Sequence, residues 1–70
     1  MAKLSDAEFR AADEKIVAAV RATKRGTAER EAAQALWGRW DAACGLPQGT
    51  VDQREARYAA IAAVAAEVSS

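Results

Sequence analysis

Seventy residues carry ten Lys and Arg against ten Asp and Glu, so the formal net charge is zero, and there is no histidine, one cysteine and one tyrosine. Twenty residues are alanine, which leaves sixteen larger apolar side chains: enough for one small core, in a size class that buries only about 60% of its unfolded surface. Most acid–base, nucleophilic and metal chemistry lacks its usual side chains here, and the global basic excess of a nucleic-acid binder is absent.

The first helix is expected from Ser5. Ser5-Asp6-Ala7-Glu8 has the form of a capping box, in which the serine hydroxyl accepts an orphan N–H and the glutamate reaches back. Phe9, Ala12, Ile16, Ala19, Val20 and Thr23 recur at three- and four-residue steps and make one apolar face. Asp6, Arg10 and Glu14 are spaced to pair along the outside. Arg21, Lys24 and Arg25 fill the expected last turn, with Gly26 as the residue just past it.

The second helix is expected to start at Thr27, with Glu29 and Glu31 near its positive end. Its apolar face reads Ala33, Leu36, Trp37, Trp40, Ala43 and Cys44; Gly45 ends it and Pro47 blocks continuation. The third starts at Thr50, where Thr50-Val51-Asp52-Gln53 is a second capping box. Its stripe is Val51, Tyr58, Ile61, Val64, Ala65 and Val68. No apolar–polar alternation suggests a strand.

The sum is an all-α fold, a small three-helix bundle with helices at about 5–25, 28–44 and 51–68, in one domain spanning 1–70 and open to completion by oligomerisation. The connections are expected to be about one and five residues long, and the first leaves open whether helices one and two fold back or run on.

The most distinctive segment is Leu36-Trp37-Gly38-Arg39-Trp40. A core of Val, Ile and Ala absorbs one indole more easily than two. Trp40 is expected at the centre, because apolar residues flank it on both sides. Trp37 then sits at the edge, where tryptophan beside arginine is typical of interface anchors. The alternative is that both indoles are core. Gly38 falls opposite Trp40, and a mid-helix glycine costs about 1 kcal/mol against alanine. It belongs to a ridge of small residues, Glu31, Ala35, Gly38, Ala42 and Gly45, which would let a partner backbone approach or is solvent-facing filler.

These features point to a non-catalytic protein–protein interaction module, a small inhibitor or adaptor. Its docking residues would be Leu36, Trp37, Gly38, Arg39, Glu31 and Ala35. The partner is expected to be another protein, a second copy (a homodimer), or both. The alternative is a small helix-turn-helix-like DNA-binding regulator using Arg21, Lys24, Arg25 and Arg30. It is disfavoured because Glu29 and Glu31 would face the phosphates, and because cations at a helix end already suit its dipole.

Cys44 reads as a small core residue, its thiol raised by an apolar face and the negative end of the second helix. No phosphate loop, zinc spacing or nucleophile elbow occurs. No catalysis, metal, cofactor or small-molecule substrate is therefore expected. The lone cysteine suggests a reducing, cytoplasmic setting. No signal peptide or membrane span is expected, since the longest low-charge run, Tyr58 to Ala66, is far short of the ~20 residues a span needs. In style, the site-free helical build resembles the small accessory proteins of bacteria and phages.

Overall fold

Three side-chain caps start three helices. Ser5 caps α1 (Asp6–Ala22): the Glu8 N–H donates to Ser5 Oγ at 3.1 Å, and the Ser5 N–H donates to Glu8 Oε1 at 3.0 Å. Thr27 caps α2 (Ala28–Cys44), accepting from the Arg30 N–H at 3.2 Å. Thr50 and Gln53 form the reciprocal pair that opens α3 (Val51–Ser69), at 3.0 and 3.1 Å. The computed structural model describes residues 3–69; Met1, Ala2 and Ser70 lie outside it. Among the described residues there is no strand, and the fold is the all-α three-helix bundle.

The chain folds back at both connections. Residues 23–27 form the first, five residues rather than the single glycine expected, and residues 45–50 form the second. α2 therefore runs antiparallel to α1 and α3, which run parallel to each other. Contacts between the helices mark this arrangement: Asp13 with Trp40 from α1 to α2, and the exposed Arg39–Glu67 pair from α2 to α3.

α1 ends at Ala22, three residues before the basic turn closes. Thr23 leaves the helix with extended backbone, and its hydroxyl donates to the Val20 carbonyl at 2.9 Å. A threonine hydroxyl that bonds back to the preceding turn competes with helix continuation. Only Arg21 of the expected basic turn is helical; Lys24 and Arg25 belong to the connection. Gly26 sits in that connection at φ 80, a left-handed conformation that glycine adopts at no steric cost.

The core forms where the expected faces meet. Ala12, Ile16, Trp40, Ala43, Ile61, Val64 and Ala65 are buried together, with Leu4, Phe9, Leu36, Cys44, Ala60 and Val68 packed around them. Trp40 is its largest member, and the Phe9 ring tilts against it at 4.9 Å between centroids. Val20 and Ala33 are also buried. One expected core residue is misplaced: Val51 is 61% exposed. It is the first residue of α3, beside the open 45–50 connection. The outer charges Asp6, Arg10 and Glu14 form no ion pair with one another among the described residues.

Candidate functional site

The two tryptophans of α2 part company. Trp40 is 2% exposed and Trp37 is 38% exposed. A buried indole needs an acceptor for its N–H. Asp13 supplies one, accepting from Trp40 Nε1 at 3.0 Å across the α1–α2 seam. Asp13 lies beside the apolar face of α1, one helical turn after Phe9. Along the chain Asp13 stands out only by its charge; the need of a central indole for a partner was the signal that could have found it.

Arginines close the helix ends from a distance. Arg30 Nη1 donates to the carbonyls of Val20 at 3.0 Å and Thr23 at 3.2 Å, satisfying the end of α1 from within α2. Arg57 Nε donates to the Cys44 carbonyl at 3.0 Å, satisfying the end of α2 from within α3. These bonds fill carbonyls that have no partner inside their own helix. Arg30 is half-buried, and its Nε has no hydrogen-bond partner.

The residues expected to form one docking face do not share one. Successive residues of a helix turn through about 100°, so Leu36 and Trp37 diverge by that angle, and Trp37 and Arg39 lie about 160° apart. Leu36 packs on the core. Arg39 turns to α3, where its Nη2 meets Glu67 Oε1 at 3.0 Å. Trp37 turns the other way, towards α1: it follows Arg30 by seven residues, nearly two full turns, and Arg30 reaches α1. Glu31, Ala35 and Gly38 are exposed on the side of α2 away from the core. A Cβ built on Gly38 would meet nothing within 4 Å.

What Trp37 does border is the α1–α2 seam. Asp13 is level with Trp40, so one turn further along the antiparallel pair Val17 is level with Trp37. Val17 lies in an open groove on α1 lined by Asp13, Glu14, Val17, Ala18, Arg21 and Ala22. Its middle is apolar and small, one end is acidic and the other basic. Comparisons with protein-family models, with curated proteins and with solved structures find no match to this chain.

The nucleic-acid residues are divided in the same way. Arg21, Lys24 and Arg25 are exposed around the end of α1. Arg30 is committed to internal carbonyls, while Glu29 and Glu31 occupy the exposed first turn of α2. The turn that would enter a groove thus presents carboxylates.

Burial raises the Cys44 thiol above its ordinary range; Arg57 opposes this, and Asp13 and Asp41 add to it. A thiol so held is mostly protonated at neutral pH and a poor nucleophile. Tyr58 is half-buried, with the Lys3 ammonium 5.3 Å from its ring centroid. Among the described residues, no three Cys, Asp or Glu side chains gather to hold a metal ion, and no helix is long and apolar enough to cross a membrane.

Proposed function

We propose that the chain is a non-catalytic protein–protein interaction module, a small adaptor or inhibitor, that docks through the Trp37 edge of α2. The observation that carries this is the contrast between the indoles. The fold encloses Trp40 and gives it a hydrogen bond, yet leaves Trp37 more than one-third exposed. A partly exposed tryptophan on α2, level with an open groove of mixed charge on the neighbouring α1, has the form of an anchor that gains its burial on docking. Beside the Trp37 indole the α1 groove presents carboxylates, a guanidinium and aliphatic carbon, the groups of a docking surface.

The docking face differs from the one read along the sequence. It combines Trp37 with the Val17 groove of α1 and leaves the Glu31, Ala35, Gly38 ridge aside. The DNA-binding reading is weaker, because Arg30 is spent within the fold and two glutamates lead α2.

The test is capture from the source cells with two baits, the wild-type chain and Trp37→Ala, matched for helical content. Loss of a tryptophan anchor is worth about 2 kcal/mol, or about 30-fold in Kd. A partner held by the wild type and lost by Trp37→Ala is expected. Identical retention by both baits would overturn the reading.

A further inference from the structure

We infer that the occupant of the Trp37 edge is a second copy of this chain, docked about a two-fold axis that passes through the open α1 groove at Val17 and Ala18. This rests on the docking reading above and names its partner. Three observations meet on it.

The first is surface. A self-contained monomer of this mass exposes about 4,200 Å². This chain exposes 4863 Å². The excess is comparable to the ~800 Å² that each partner contributes to an interface of standard size. The molecule is also drawn out, with extents of 41 × 20 × 15 Å and a radius of gyration of 12.8 Å, against about 11 Å for a compact chain of this length. A second copy laid along the long side would supply the missing thickness.

The second is the order of charge along the groove. Glu14 lies before its small apolar middle and Arg21 after it. Val17 and Ala18 fall midway between the two. A two-fold axis at that midpoint sets two α1 helices antiparallel, with Glu14 of each copy level with Arg21 of the other. Both cross-pairs join opposite charges. The same patch then serves both subunits, as a two-fold interface requires. Neither Glu14 nor Arg21 is paired within its own chain among the described residues.

The third is Trp37. Level with Val17, it lies beside the axis, where each copy would cover the other's indole. Aromatic groups near the centre of an interface carry most of its energy, while charges at the rim set orientation.

Charge exchange followed by sedimentation equilibrium tests this on the full chain. The wild type is expected to be a reversible dimer. Glu14→Arg alone places like charges in both cross-pairs, and so does Arg21→Glu alone. Each should raise the dimer Kd about tenfold or more. The double variant, E14R with R21E, restores both pairs and should dimerise like the wild type. Mixing the two single variants should give a heterodimer tighter than either homodimer, a rescue that damage to folding cannot produce.

A wild type monomeric at every concentration would overturn the self-association. The docking reading would then stand or fall separately on the Trp37→Ala capture. A dimer indifferent to both single exchanges would overturn the proposed axis. If that dimer also ignored Trp37→Ala, self-docking at the Trp37 edge would fail with it.

Discussion

Three positions separate Trp37 from Trp40, and the surroundings of the two indoles are opposite. The layer around Trp40 is closed on every side: Phe9 and Ile16 from α1, Ala43 from its own helix, Ile61 and Val64 from α3, and Asp13 on the indole N–H. Trp37 is left 38% exposed, and the α1 residues level with it line an open groove. The difference shows that helical phase is not enough to place a large side chain in so small a bundle. Both indoles lie on the same broad side of α2, but the third helix covers only one of them.

The largest effect should come from emptying the closed layer. Trp40→Ala removes the biggest core side chain, and such truncations cost about 3–5 kcal/mol. That is comparable to what a single core of this size supplies, about 3–5 kcal/mol. Loss of the helical circular dichroism signal at room temperature is expected. Trp37→Ala should keep that signal and shift the urea midpoint only slightly. Equal losses would erase the contrast between the two regions.

The hydrogen bond can be removed while the indole stays. Asp13→Leu leaves the indole N–H without its partner at a cost of about 1–3 kcal/mol, whereas Asp13→Asn keeps an acceptor and should recover most of it. Urea unfolding of the pair measures this, and a Leu variant as stable as wild type would show that Trp40 holds its place by packing alone.

Next in size is the arginine that closes the end of α1. Arg30→Ala should cost about 1–2 kcal/mol, because the Val20 and Thr23 carbonyls lose a charged donor. Arg25→Ala, exposed in the same region, should stay within about 0.5 kcal/mol of wild type. Similar values for the two would mean that Arg30 is surface charge and free to meet a partner.

Gly38 sharpens the comparison from the solvent side. Space is open around it, so Gly38→Ala should raise stability by up to about 1 kcal/mol. In a domain of this size that is about 4–8 °C in Tm. It should leave association unchanged, since the proposed docking face lies elsewhere. A weakened dimer would return the Gly38 ridge to the interface.

The smallest effect concerns the cap of α1. Hydrogen bonds from the Ser5 backbone N–H first, and with the Ser5 hydroxyl second, hold the Glu8 carboxyl below its ordinary range. A carboxylate with a depressed folded-state pKa stabilises fully above its unfolded-state range, and that contribution fades as pH falls through the folded value. Wild-type helicity should therefore fall slightly between about pH 5 and pH 2, and Glu8→Gln should flatten that part of the curve.

Much of this was legible in the sequence because it is local. Ser5 with Glu8 and Thr50 with Gln53 are neighbours along the chain, so their caps could be read directly. The apolar spacing of α1 and α3 likewise placed Ile16, Val20, Ile61 and Val64 inside. What stayed hidden depends on how the helices pack. Arg30 looked like a surface cation because its carbonyl partners lie seven and ten residues away around a turn. Asp13 finds Trp40 only after α1 and α2 come together. The end of α1 was misread for the same reason: three cations followed by glycine are a sound local stop signal, but the Thr23 hydroxyl and the Arg30 guanidinium close the helix earlier. The residues expected to dock lie close in sequence, but Leu36, Trp37 and Arg39 turn to three different sides, which only the packing of the helices reveals.

Iodide quenching of tryptophan emission tests the division between the indoles most directly. It should be run on the wild type and on Trp37→Phe, at protein concentrations low enough to hold the chain monomeric. Wild-type emission should be partly quenched. Trp37→Phe, left with Trp40 alone, should emit at shorter wavelength and resist iodide. A dilute wild type already shielded from iodide, or a Trp37→Phe chain quenched as readily as the wild type, would contradict the account.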